Sequence, residues 1–226
     1  MTPDPRHPFP GRAALVAGAA RSGLAAARLL RRRGLEVTVC DRRPAEAAPE
    51  AAHALAAEGV RFAWGRDDAA LLEGHDFVVW SPGIAVDHPL AEAARASGRP
   101  VLGELEIGYR AAVAPFVCIT GTNGKSTTTD LTGALLAAAG HTVAVCGNIG
   151  RALCEVVDEV PATGLLVVEV SSFQLETVDR LRPTVATWLN LTADHLDRHG
   201  GCAGEHAAQR RGWRQPAAQL RGQARW

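Results

Sequence analysis

The 226-residue chain balances 24 basic against 24 acidic residues, for a formal net charge of zero. Nothing in that balance points to non-specific attraction to nucleic acid or membrane lipid. No apolar run approaches the roughly 18 residues of a membrane span, and the polar, proline-rich residues 1–10 have no signal-peptide core. The five cysteines (Cys40, Cys118, Cys146, Cys154, Cys202) form no C-x-x-C pair. A disulfide framework or zinc site is therefore not expected, and a reducing cytoplasm fits.

Strand and helix patterns alternate along the chain. After a disordered tail over 1–10, residues 13–18 read as a strand and Ser22 as the cap of a helix ending before Gly34. A second strand, 35–40, stops at Asp41. An alanine-rich helix is expected over 45–58, strands over 60–63 and 76–80, a helix over 89–96, a strand over 100–102 and a short helix from Glu104. Residues 111–115 read as a linker. Beyond it come a strand over 115–120, a helix from Ser126 to Gly140, strands over 142–146, 165–170 and 184–189, and a helix over 151–157. This order predicts parallel sheets covered by helices on both faces. The fold class is α/β, a Rossmann-like domain (11–112) followed by an incomplete P-loop ATPase domain (113–200). Residues 201–226 are rich in Arg, Gln, Gly and Ala, lack an apolar period and read as a disordered tail.

Lys125 is the only lysine in the chain. It lies in Gly121-Thr122-Asn123-Gly124-Lys125-Ser126-Thr127, between a buried strand and a helix. There the loop N–H groups and the helix N-terminus face an anion, and a compact ammonium reaches several phosphate oxygens at once. The loop is G-x-x-G-K-S, shorter than the usual P-loop because Ile119 stands where that pattern has its first glycine. The expected ligand is a nucleoside triphosphate. Glu169 ends the apolar run 165–170, and a carboxylate buried there is costly unless it is paired or holds a metal. Downstream, Asp194, His195 and Asp197 cluster in a loop expected at the same sheet edge, which makes His195 a second metal or phosphate ligand.

The first unit has its own glycine loop, 18–23, with alanine at the middle glycine of G-x-G-x-x-G. Asp41 occupies the strand end where dinucleotide enzymes place a ribose-binding acid. A nicotinamide site, a nucleotide-sugar site and a plain strand-end aspartate all remain open at that point. The turn Ser81-Pro82-Gly83-Ile84 follows a buried strand, at an edge where ligands bind.

Taken together, Gly121–Thr127, Gly147-Asn148-Ile149-Gly150, Glu169-Val170-Ser171-Ser172-Phe173-Gln174-Leu175-Glu176 and the run 190–198 resemble the Mur ligase family. The Ser-Ser-Phe-Gln-Leu-Glu run and the Ser-Pro-Gly-Ile turn resemble its D-glutamate-adding branch. The resemblance spans about residues 11–200. It implies a monomeric cytoplasmic enzyme of peptidoglycan synthesis that uses ATP and Mg²⁺ to join D-glutamate to UDP-N-acetylmuramoyl-L-alanine through an acyl phosphate. It also implies that Gly121–Thr127 bind ATP, with Lys125 on its phosphates. Ser126, Glu169 and His195 would hold metal. Ser22, Gly23, Leu24, Asn148 and the 81–83 turn would contact the UDP-sugar, with Asp41 and Arg42 near the uridine. The resemblance fades after about residue 200: the family's lysine that bridges a second metal would fall near Gln209, and the amino-acid-binding third domain is not in the sequence. The chain is therefore expected to be inactive alone. It is either a ligase truncated or frame-shifted at its C-terminal end, or a module that binds UDP-sugar and ATP without turnover.

Overall fold

The computed structural model describes residues 8–190, and the strands it contains all pair in parallel. The first sheet holds β1 (Ala13–Ala17), β2 (Glu36–Asp41), β3 (Arg61–Trp64), β4 (Phe77–Trp80) and β5 (Val101–Gly103) in the order β3-β2-β1-β4-β5. Helices α1 (Arg21–Arg32), α2 (Glu50–Ala57), α3 (Pro89–Ala96) and α4 (Glu104–Ala111) intervene or follow. Every residue of β4 is buried, which is why that strand is an unbroken apolar run rather than an alternating one. The strand order reverses direction between β1 and β4. At that switch point the flanking loops diverge and leave a crevice beyond the strand C-termini.

The second sheet holds β6 (Phe116–Thr120), β7 (Val143–Gly147), β8 (Leu165–Glu169) and β9 (Val185–Trp188) in the order β7-β8-β6-β9. Helices α5 (Lys125–Ala138), α6 (Leu153–Val156) and α7 (Ser172–Leu175) connect them. Strand β6 lies inside this sheet, so the Lys125 loop leaves between β8 and β9.

Local chemistry accounts for three departures from the expected elements. The helix expected over 45–58 is a 3₁₀ turn (Ala45–Ala47), then extended backbone at Ala48 and Pro49, then α2. Pro49 sterically drives its predecessor out of helical torsions. Helix α1 begins at Arg21 with Ala20 as its cap residue and no side-chain cap. Ser22 therefore lies inside the first turn rather than capping it. The third departure is α7, whose local signal is a capping box: Ser171 N–H donates to Gln174 Oε1 (2.9 Å) and Gln174 N–H to Ser171 Oγ (3.3 Å).

The two sheets share one apolar core, in which Leu29, Leu105, Leu153, Phe116 and Val168 belong to a single buried cluster. Helix α4 anchors it with two buried carboxylates. Glu106, fully buried, accepts from Arg110 Nε (2.7 Å) and from the N–H groups of Asp179 (3.0 Å), Arg180 (3.0 Å) and Leu181 (3.2 Å). Glu104 accepts from Cys154 N–H at 2.7 Å, and burial raises its pKa. Cys40, Cys118, Cys146 and Cys154 are buried free thiols. No helix among the described residues is long and apolar enough to cross a membrane.

Candidate functional site

A cavity of about 520 Å³ opens at the switch point of the first sheet, beyond the ends of β1, β2 and β4. Ser22, Asp41, Arg42, Ser81 and Gly83, all expected around one ligand, line it together with Ala17 and Gly18. Backbone crowding explains the two glycines of the first loop. Gly18 has φ +97°, and a Cβ on Gly23 would lie 1.9 Å from the Gly18 carbonyl oxygen, so α1 closes onto the loop only with glycine there. Gly23, Leu24 and Pro82 are not part of the lining. Leu24 faces the core from the inner side of α1, and Pro82 is half-buried in its turn.

Asp41 also lines the cavity, but both its oxygens are occupied. Oδ2 accepts from Ala19 N–H (2.7 Å) and Arg43 Nη2 (2.9 Å); Oδ1 accepts from Arg43 N–H and Nε, both at 2.9 Å. The carboxylate thus pins the glycine loop to the end of β2. The Arg43 side-chain bonds, then the Ala19 N–H, hold its pKa down at about 2 against the opposing effect of burial. A folded-state pKa below the ordinary 3.8 means that this stabilisation is complete above about pH 4 and disappears as pH falls through 2. Arg43→Ala should bring the Asp41 titration, followed by carboxyl ¹³C NMR, back towards the ordinary value and shift acid unfolding to higher pH. An unmoved titration would show that Arg43 does not set it.

Among the lining residues unmarked in the sequence are Asp67, Trp80 and His88. His88 Nδ1 accepts from Leu90 N–H (3.2 Å) at the start of α3, so its Nε2 carries the proton and donates to Asp67 Oδ2 (3.0 Å). Arg42 Nε donates to the same oxygen at 2.5 Å. Trp80 lies beside His88, ring centroids 5.7 Å apart, and donates from Nε1 to Ile84 O. The His-Pro pair signals a helix start; its contact with Asp67, 21 residues away, has no local signal. Cys40 also lines the cavity, but burial, followed by Asp67 and Asp41, pushes its thiol up to about 12.

The second loop sits at the C-terminal end of β6. Gly124 (φ +82°) turns the chain into α5, which has no side-chain cap. Lys125 folds back over the loop, and its Nζ donates to the carbonyls of Gly121 (2.8 Å) and Thr122 (2.9 Å). Ser126 and Thr127 are exposed on the first turn of α5. Asn190 clamps the loop from beyond β9: its Oδ1 accepts from Asn123 N–H and its Nδ2 donates to Asn123 O, both at 2.9 Å, while its carbonyl accepts from Thr122 N–H (3.1 Å). That clamp was not foreseen.

Glu169 ends β8 in register with Ile119 of β6 and Gly147 of β7, one strand from the lysine loop. It is 1% exposed. Oε1 accepts from Asn148 Nδ2 (2.8 Å), and Oε2 is buried without a hydrogen-bond partner. Asn148, expected on the UDP-sugar, thus spends its side-chain amide on Glu169. No cluster of three or more His, Cys, Asp or Glu side chains suited to a metal occurs among the described residues. His195, with Asp194 and Asp197, lies outside them, as do residues 201–226.

Two glycine loops at two sheet edges, with a buried half-satisfied carboxylate beside the second, are matched by two domain profiles. The Mur ligase MurD-like N-terminal domain matches residues 12–103 and the Mur ligase middle domain residues 119–209. The chain belongs to the Mur ligase family. As a Mur ligase chain it is 45% identical over 201 residues to the UDP-N-acetylmuramoylalanine–D-glutamate ligase of Acidobacterium capsulatum, covering 89% of this chain and 44% of that protein. It is 51% identical over 185 residues to the ligase of that name from Anaeromyxobacter dehalogenans, covering 81% and 40% respectively. The chain thus spans less than half the length of these relatives. A Neisseria meningitidis UDP-N-acetylmuramate:L-alanyl-γ-D-glutamyl-meso-diaminopimelate ligase shares the fold with a TM-score of 0.60 and 18% identity, over 92% of this chain and 69% of that one. For the Thermotoga maritima UDP-N-acetylmuramate–alanine ligase the figures are 0.55 and 20%, over 91% and 47%.

Proposed function

We propose that this Mur ligase chain supplies the substrate- and ATP-binding units of a ligase that joins D-glutamate to UDP-N-acetylmuramoyl-L-alanine in the cytoplasm. The observation that carries the reading is the pairing of the Lys125 loop with Glu169, whose Oε2 is buried and unpartnered. An orphaned carboxylate oxygen one strand from a phosphate loop suits a hard divalent cation. Mg²⁺ fits there with Glu169 and the Ser126 hydroxyl as its protein ligands, and when bound it would neutralise phosphate charge. His195, by family resemblance, would supply a further ligand.

The chemistry requires a carboxylate to approach a triphosphate, two anions that repel. Lys125 offsets that charge, and the uncapped start of α5 adds the positive end of its dipole. The substrate carboxylate would take the terminal phosphoryl group with ADP leaving, and the amine of D-glutamate would then bond to the acyl carbon and displace phosphate. The first cavity would hold the nucleotide-sugar end, with Ser22, Ser81, Gly83 and Arg42 around it and Gly23 and Asp41 fixing the loop. These residues orient the substrate, a contribution of positioning rather than bond-making.

The switch-point cavity and the Lys125 loop are each a proposed binding site that these 226 residues can be tested for directly. Thermal unfolding tests both points. A ligand at a hundred times its Kd adds about 2.7 kcal/mol, a rise of roughly 5–10 °C at this size. UDP-N-acetylmuramoyl-L-alanine and ATP with Mg²⁺ should each produce such a rise, without D-glutamate-dependent phosphate release. Saturable NADH binding without UDP-sugar protection would overturn the reading in favour of a nicotinamide site.

A further inference from the structure

The first residue of α1 reaches across to the second unit. Arg21 Nη1 donates to Gly150 O (2.5 Å) and Nη2 to Asn148 O (3.3 Å). The loop it grips is built against Glu169. Asn148 N–H donates to Glu169 O (2.9 Å), Asn148 Nδ2 donates to Glu169 Oε1 (2.8 Å), and Gly147 N–H donates to Arg151 O (2.8 Å). Gly147 takes φ +106°, and a Cβ there would lie 2.3 Å from the Glu169 carbonyl oxygen, so the loop presses directly on the end of β8.

We propose that Arg21 is a positioning residue: by holding the Asn148 and Gly150 carbonyls it fixes the Asn148 amide, which orients Glu169 with Oε2 turned to the cation. The proposal rests on the functional reading only in identifying what Oε2 meets. A carboxylate held by one side-chain hydrogen bond can rotate about its last torsion, so its aim depends on where Asn148 stands. The far end of α1 is tied separately, by Arg32 and Arg33 to Asp158 at 3.1 and 2.6 Å, and the shared core lies between. Losing Arg21 therefore leaves the units docked and releases only the loop. Arg21 also stands between Ala20 and Ser22, which line the first cavity, so the same loop borders the nucleotide-sugar cavity and holds the turn beside the carboxylate of the second site.

The test compares the full chain with Arg21→Ala and Arg21→Lys, since a lysine ammonium can still donate to both carbonyls as a point charge. Two readouts are needed: the Asn148 side-chain amide resonances in ¹⁵N NMR without metal, and Mn²⁺ affinity in the presence of ATP by EPR of the free ion. Arg21→Ala should move the Asn148 amide towards its solvent-exposed position and weaken Mn²⁺ about five- to tenfold, the range expected for losing one or two exposed charge-assisted bonds. Arg21→Lys should recover most of both, and the melting temperature should change by less than about 2 °C. An unmoved Asn148 amide in Arg21→Ala overturns the proposal. So does a moved amide with unchanged Mn²⁺ affinity, or a lysine variant no better than alanine. A wild-type chain that binds no Mn²⁺–ATP would sink the functional reading instead, while the Asn148 resonance still decides whether Arg21 holds the loop.

Discussion

Replacing Lys125 with alanine should weaken ATP binding at least a hundredfold by titration calorimetry, with little change in melting temperature. The ammonium is the only lysine of the chain, and it sits over its own loop, bonded to two carbonyls. Those carbonyl bonds hold the charge over the loop whose N–H groups would cradle a phosphate. A charge-assisted contact of that kind, to more than one phosphate oxygen, is worth about 3 kcal/mol, close to a hundredfold in affinity. Stability should be nearly untouched, because the same loop is held independently by Asn190. Lys125→Arg should not rescue binding, since a planar fork cannot curl over so tight a turn. A loss of less than fivefold in the alanine variant would mean that the loop does not bind triphosphate through this residue.

Glu106→Ala should cost about 4 kcal/mol of folding stability in urea titration, a large part of a typical domain's margin. Glu106 is fully buried and takes four donors, from Arg110 and from three successive N–H groups at 179–181. Arg110, with a side chain 5% exposed, would keep its bonds to Asp179 and the Pro8 carbonyl but lose its buried counter-charge. The three N–H groups would be left without their acceptor, each at the cost of an unmade bond. Glutamine is no remedy, because its amide nitrogen would turn one acceptor into a donor facing N–H groups. A loss below about 1 kcal/mol would show that α4 does not tie the turn at 179–181 through this carboxylate.

Local chemistry made much of this chain legible. Fully buried parallel strands appear as apolar runs, and φ-positive glycines mark the turns at Gly18, Gly34 and Gly124. A strand, a glycine loop and Lys-Ser at a helix start are consecutive residues, so the anion site needs no distant partner to be recognised. The misreadings were local too. Pro49 interrupts an alanine-rich stretch that has helical composition, and the Ser171–Gln174 capping box marks a helix too short to show a period.

The sequence by itself determined the two α/β units, the lysine loop and the acid that ends β8, because each rests on torsions and burial within a few adjacent residues. Only the tertiary structure decided which groups meet: Asp41 with Ala19 and Arg43, His88 with Asp67, Asn190 with the lysine loop, Arg21 with the loop that carries Asn148. Those partners stand 21 to 129 residues apart, apart from Arg43. A hydrogen bond over such a separation is set by how strands order in a sheet and where helices cross it. No spacing along the chain records that path.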